Sequence, residues 1–196
     1  TRFFGSSLSS GQLRDLADDS ERAVASLGGD VAPVMVATRV LREVTATLRP
    51  RLGREGTRPG WESLRPQPAI SDAMRRLLGA LSGLCSALDI DDGGGEATNC
   101  LRRTTSVKAV VTMLMEECDS NSVRWVEPRA RGFTWRAAPL DISDTFASHM
   151  RSHKIAWIFT SATLAVGESF THLAERMGVK DAMELVLESP FDYPNQ

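Results

Sequence analysis

Between Ile70 and Leu88 the residues Ile70, Met74, Leu77, Leu78, Leu81, Leu84, Cys85 and Leu88 recur at intervals of three and four. That period draws a wide apolar stripe along an α-helix, and such a stripe has to be buried against another helix or a sheet. Weaker versions of the pattern run elsewhere. From Ser9 to Leu27 the residues Leu13, Leu16, Ala17, Val24 and Leu27 keep helical spacing, Ser9 with Gln12 fits a capping box, and Gly28 ends the run. From Val31 to Leu48 the residues Val34, Thr38, Leu41, Val44 and Leu48 share one face, with Pro33 in the first turn and Pro50 closing it. A fourth stripe, about 104–117, carries Val107, Val110, Val111, Leu114 and Cys118. Four amphipathic helices predict a bundle.

The segment from Arg49 to Pro68 is broken by proline and glycine and predicts an exposed loop with a net charge of +3. After Asn121 the pattern changes to aromatic and β-branched residues in two runs around a turn, which predicts a β-hairpin over VRWVEPRARGFTWRAAPLDI. Beyond it Asp141 or Ser143 can cap a helix to about Ser152, IAWIFT reads as a buried strand, 168–177 as a helix, and MELVLESPF as a further short strand. Alternating strand and helix suits an α/β domain. The expected fold class is therefore mainly α with a small β component, in three parts: a helical lobe over 1–122, a β-hairpin return segment over 123–142, and a fragment of an α/β domain over 143–196.

With 23 Lys and Arg against 25 Asp and Glu, the chain has no global attraction for nucleic acid. Any such contact has to come from local basic patches. The loop supplies Arg54 and Arg58 beside Trp61, and the hairpin supplies Arg124, Arg129, Arg131 and Arg136 beside Trp125 and Trp135. Arginines with interleaved tryptophans can hold phosphates and stack on bases of single-stranded DNA. The alternative is a solvated loop and inward-packed tryptophans, and alternation in VRWVE makes Trp125 a core candidate. Helix one carries Asp15, Asp18, Asp19 and Glu21, which would repel DNA and suit a protein partner on the bundle.

Three cysteines without paired spacing argue against a disulfide framework, and no run is apolar enough to span a bilayer, so the expectation is a cytoplasmic protein with no membrane contact. Cys85 and Cys118 fall on apolar stripes and read as small hydrophobes, so no metal site is expected. The pair in HMRSH lacks the glutamate of a zinc protease, and DIDDGGGE lacks the glutamate that closes a calcium loop. A chain starting at Thr1 without an initiator Met and ending in PFDYPNQ reads as a piece of something longer.

The segment IFTSATLAVGESF sets an apolar run against small hydroxyls. At the carboxyl end of a strand in an α/β sheet, such side chains can serve a phosphate site; they can equally make a turn and cap the next helix. Thr160, Ser161, Ala162, Thr163 and Leu164, followed by Ser189, Pro190 and Phe191, resemble the T-S-A-T-L and S-P-F motifs of superfamily 2 DNA helicases of the DinG and YoaA type, relatives of XPD. Ala138, Pro139 and Leu140 look like that family's return from its helical insertion, the Arch, and TRFFGSSLSSGQL resembles the sequence after its acidic ATPase motif. The resemblance spans the chain, with TSATL and SPFDY its specific part. It implies a four-helix Arch-like bundle, a hairpin, and a fragment of the first motor domain. In function it implies a parent DNA helicase of repair or replication, with Ser161 and Thr163 coupling ATP hydrolysis to DNA engagement. ATP and Mg²⁺ belong to that parent, and any iron–sulfur cluster would have its ligands upstream of Thr1. No phosphate loop and no Asp-Glu-Ala-His run occurs in this sequence, so the fragment alone is expected to be inactive. The competing reading is a non-enzymatic helical protein-interaction domain.

Overall fold

The computed structural model of the chain describes residues 5–28, 30–90, 94–117, 121–160 and 169–187. It divides into two compact units, Thr1–Ala138 and Pro139–Gln196.

In the first unit, helix α1 (Ser10–Ser26) begins with the capping box that its sequence encodes: the Gln12 amide donates to Ser9 Oγ at 3.1 Å and the Ser9 amide to Gln12 Oε1 at 2.8 Å. Two amide donors that a helix start leaves unpaired are thereby satisfied. Helix α2 (Ala32–Leu48) carries Pro33 in its first turn and runs into a 3₁₀ turn at Arg49–Arg51. A short helix α3 (Trp61–Leu64) interrupts the expected loop, and α4 (Pro68–Leu88) carries the strong stripe. Helix α5 (Gly94–Met115) starts ten residues before the sequence pattern predicts. Its first half buries the small residues Ala97, Cys100 and Thr104, which give a weak amphipathic signal.

The four long helices pack in a closed ring, α1 on α2, α2 on α4, α4 on α5 and α5 on α1. They form a four-helix bundle whose core includes Leu13, Leu41, Leu77, Leu81 and Val111. Each fully buried leucine contributes about 1.5–3 kcal/mol of transfer free energy. Charges join the outer seams. Arg42 of α2 donates to Glu21 and Asp18 of α1, both at 2.6 Å, and Arg103 of α5 meets Asp19 at 2.5 Å. Glu21, held by Arg42 first and also by Thr38, keeps its carboxyl below the usual range although burial opposes this. The acidic residues of α1 that suggested a protein contact are therefore largely matched by arginines of the bundle itself.

A three-stranded antiparallel sheet covers part of this core. Strands β1 (Ser6–Ser9), β2 (Ser122–Arg129) and β3 (Gly132–Pro139) lie in the order β1-β3-β2, with Leu8 opposite Trp135 and Ser6 opposite Ala137. The hairpin β2–β3 is the expected one, closed by the two residues Ala130 and Arg131. β1 has no expectation behind it, because SSLS offers one apolar side chain and no alternation to detect. Leu8, Val126, Phe133 and Trp135 point into the core, and Trp135 packs edge-on against Trp61 and Phe133 at centroid distances of 5.7 and 4.7 Å. At Gly132 the chain passes so close to Ser10 that an added Cβ would sit 2.2 Å from its Oγ, which accepts the Phe133 amide.

The second unit contains α6 (Ser143–Ser152) and α7 (Thr171–Met177), packed on each other. The N-cap position of α6 is Ile142, without a side-chain cap, so neither Asp141 nor Ser143 is the N-cap expected; Asp141 Oδ1 instead accepts the Ser143 amide at 2.8 Å from the position before the cap. Gly178 ends α7 at φ +62°, and its Cα faces the Ser143 carbonyl so closely that a Cβ would meet that oxygen at 2.4 Å. The buried strand expected over IAWIFT is corrected here. Residues 155–160 form no strand, and Ile155 and Ile158 are exposed. Of the short strand expected over MELVLESPF, residues 183–187 form no strand, with Met183, Leu185 and Leu187 exposed, and 188–191 lie outside the described residues. A strand exists through hydrogen bonds to a neighbour, and the strands among the described residues all belong to the sheet β1-β3-β2. Trp157 and Phe159 instead lean on Phe146 of α6, at 6.4 and 6.0 Å between centroids.

Candidate nucleic-acid interface

Side chains alternate across a strand, so with Val126 and Pro128 buried, Trp125 and Glu127 emerge on the opposite face of β2. The expectation of Trp125 as core is thus corrected: it is half-buried on the outer face. On β3 the buried pair Phe133 and Trp135 likewise sends Arg136 outward. The free edge of β2 is then closed by the loop, since the Val126 amide donates to the Pro59 carbonyl at 3.0 Å and Gly60 bridges to Trp125. This pairing carries Arg58 onto the same face.

Three segments therefore converge on one carboxylate. Glu127, 17% exposed, has Arg136 Nε at 3.0 Å, Arg129 at 3.6 Å and Arg58 at 3.9 Å, and it accepts the Trp125 indole N–H at 3.2 Å. The Arg136 contact is an ion pair by distance whose N–H is not aligned as a hydrogen bond. Burial alone would raise the Glu127 carboxyl; the contacts from Arg136 and Trp125 and the charge of Arg58 outweigh it and hold the group below its usual range. Three guanidinium groups on one carboxylate leave a net positive face, and Arg58 and Arg129 keep 75% and 64% of their side-chain surface in solvent. Guanidinium groups so presented can take up phosphate oxygens in forked hydrogen bonds.

The sequence candidates divide sharply. Arg58, Arg129 and Arg136 come together at Glu127. Arg131 is exposed at the hairpin turn, and Arg54 is exposed in the loop. Arg49 fastens that loop to the hairpin by donating to the carbonyls of Arg129 and Gly53. Trp61 and Arg124 need correction. Trp61 is fully buried and its indole N–H donates to the Leu114 carbonyl at 2.6 Å, so it has no face for a base. Arg124, also buried, donates to the Glu116 carbonyl at 2.9 Å and to that of Glu117 at 3.5 Å. With Arg65, which donates to the Met115 carbonyl at 3.1 Å, they occupy the carbonyls that the end of α5 leaves unpaired. Cations belong there by the helix dipole as well. Sequence reasoning missed Glu127, whose signal was its placement two residues from Trp125 and Arg129 on a strand of period two.

Ser161, Ala162, Thr163 and Leu164 lie outside the described residues, as do Ser189, Pro190 and Phe191; Thr160, at their border, is exposed. Cys85 of α4 is half-buried with its sulfur 3.9 Å from Thr105 Oγ1, and burial pushes the Cys100 thiol up. Cys118 lies outside the described residues. Among the described residues no three His, Cys, Asp or Glu side chains converge as metal ligands. Among them, too, no helix is long and apolar enough to cross a membrane.

The described residues form a four-helix bundle with an arginine-edged hairpin, and sequence similarity relates the chain to helicases. No protein-family model matches the chain. Over its whole length it is 31% identical to the ATP-dependent DNA helicase YoaA of Haemophilus influenzae and 32% identical to the protein of that name in Escherichia coli K12, in each case covering 31% of the relative. Over 76 residues, 39% of this chain and 12% of the relative, it is 33% identical to the probable ATP-dependent helicase YpvA of Bacillus subtilis. Similarity over the whole chain supports a DinG/YoaA-type helicase fragment, a segment that spans about a third of the length of the curated YoaA relatives.

Proposed function

We propose that the chain is the Arch-like insertion, with an adjoining piece of the first motor domain, of an ATP-dependent DNA helicase. In this reading the outer face of its hairpin guides single-stranded DNA. What carries the DNA contact is the convergence of Arg58, Arg129 and Arg136 on Glu127 in one solvent-facing cluster. What supports the parent activity is the whole-chain similarity to relatives named ATP-dependent DNA helicases. ATP and Mg²⁺ would bind in the parent outside this chain, whose sequence has no phosphate loop. The role of Ser161 and Thr163 is to couple the state of that site to DNA, a relay without bond-breaking chemistry. Arg54 and Arg131 extend the basic track along the loop and hairpin turn.

The test uses the full-length parent. It is expected to hydrolyse ATP faster with single-stranded DNA present and to unwind duplex. Thr163→Ala is expected to keep ATP binding while lowering unwinding at least tenfold, an interaction of about 1.4 kcal/mol. ATP hydrolysis indifferent to DNA would overturn the reading.

A second reading, a protein-docking role for the bundle, is favoured by Met35 and Val36, which stand exposed side by side on α2 next to Arg39. Loss of a partner from the parent on Met35→Glu, with DNA binding intact, would support it.

A further inference from the structure

The face of β2 and β3 holds an anion already. Glu127 sits among three guanidinium groups and an indole N–H, the set of donors that a phosphodiester would engage. We propose that Glu127 is a built-in competitor for phosphate: it occupies the arginine cluster in the free protein and surrenders Arg58, Arg129 and the Trp125 indole when a phosphodiester enters. This rests on the reading of the hairpin face as a strand-binding surface, and it assigns regulation to that surface.

The distances set which partners yield first. Arg136 is at 3.0 Å and only 37% exposed, so it stays with Glu127. Arg129 and Arg58, at 3.6 and 3.9 Å, lie beyond direct hydrogen-bond length and are largely solvated. Ion pairs of that kind are weak and exchange readily with an external anion. Trp125 cannot donate to Glu127 and face an incoming base in the same way, so its indole N–H reports the exchange. A single small anion gains little by displacing a tethered carboxylate. A chain of phosphates, held also by Arg54 and Arg131, gains by engaging several sites at once. The competitor therefore selects a polymer over free phosphate, and it keeps each engagement short-lived, as a moving strand requires.

The experiment compares the wild-type chain with Glu127→Gln, which keeps shape and removes charge, and with Glu55→Gln, which removes a charge from the exposed loop beside Arg54. Binding of a labelled oligo-dT is followed by anisotropy, and the Trp125 indole N–H by ¹⁵N NMR, assigned with Trp125→Phe. Glu127→Gln is expected to tighten binding roughly three- to tenfold, the coupling of one partly exposed ion pair, and Glu55→Gln less than twofold. The Trp125 indole resonance of the wild type is expected to shift in step with binding. Equal effects of the two substitutions, weaker binding by Glu127→Gln, or an indole resonance unmoved at saturation would overturn the proposal. If oligo-dT binds none of the proteins, the strand-binding reading fails, and titration with pyrophosphate decides the competition by itself. Tighter pyrophosphate binding by Glu127→Gln than by wild type upholds it, and equal binding overturns it.

Discussion

The indole nitrogen of Trp61 donates to the Leu114 carbonyl oxygen at 2.6 Å, tying α3 to the last turn of α5. Together with Arg65 and Arg124 it closes a helix end that would otherwise bury unpaired carbonyls. Removing one partner of a buried hydrogen bond costs about 1–3 kcal/mol, because the other is left without water. Trp61→Phe is therefore expected to lower the melting temperature by roughly 2–12 °C, at about 2–4 °C per kcal/mol for a chain of this size. Oligo-dT affinity should stay within twofold. A large loss of affinity in a folded Trp61→Phe protein would return Trp61 to the interface.

Two arginines of one strand should separate in the same way. Arg124→Gln is expected to destabilise the first unit by about 1–3 kcal/mol in urea and to spare DNA binding. Arg129→Gln, on an exposed side chain, is expected to change stability by less than about 0.5 kcal/mol and to weaken oligo-dT binding. Paired urea and anisotropy titrations check both, and the opposite pattern would show the strand to be inverted.

How much of this was legible in the sequence depends on the signal each element leaves. α4 and the capping box of α1 were readable because apolar spacing and local hydrogen bonding are sequence-local. The early start of α5 was not, since Ala97, Cys100 and Thr104 are small and close packing, rather than hydrophobicity, buries them. Arg124 misled the reading of β2: a buried arginine mimics an outward residue unless the α5 carbonyls it serves are known. That error turned Trp125 inward and hid Glu127. IAWIFT has strand composition, but strand pairing is a property of two segments, and the sequence pattern names one.

Gly132→Ala tests the close approach of β3 to α1. The added methyl group must displace the Ser10 side chain that accepts the Phe133 amide. The expected cost is about 1–3 kcal/mol, as for an overpacked core, measured by urea denaturation. The double variant Gly132→Ala/Ser10→Gly should recover part of it, and no recovery would place the strain elsewhere.

Glu21 predicts how stability depends on acid. Its folded carboxyl lies below the unfolded value of 4.5, chiefly through Arg42. The stabilisation is thus fully present above that value and is lost as pH falls through the lower folded one. Thermal unfolding from pH 7 to pH 3 should show a steeper decline in the wild type than in Glu21→Gln, whose melting temperature starts lower. Parallel curves would mean that the ion pair between α1 and α2 contributes nothing.

The central claim, that the outer hairpin face holds phosphates of single-stranded DNA, is tested most directly by the salt dependence of oligo-dT binding. Anisotropy titrations at several salt concentrations would compare the wild type with the triple variant Arg58→Gln/Arg129→Gln/Arg136→Gln. Every arginine that no longer neutralises a phosphate should lower the slope of log affinity against log salt by about 0.7; with Arg58 and Arg129 as the two released to phosphates, a drop of roughly 1.4 together with a large fall in affinity is predicted. An unchanged slope and affinity in the folded triple variant would contradict the account.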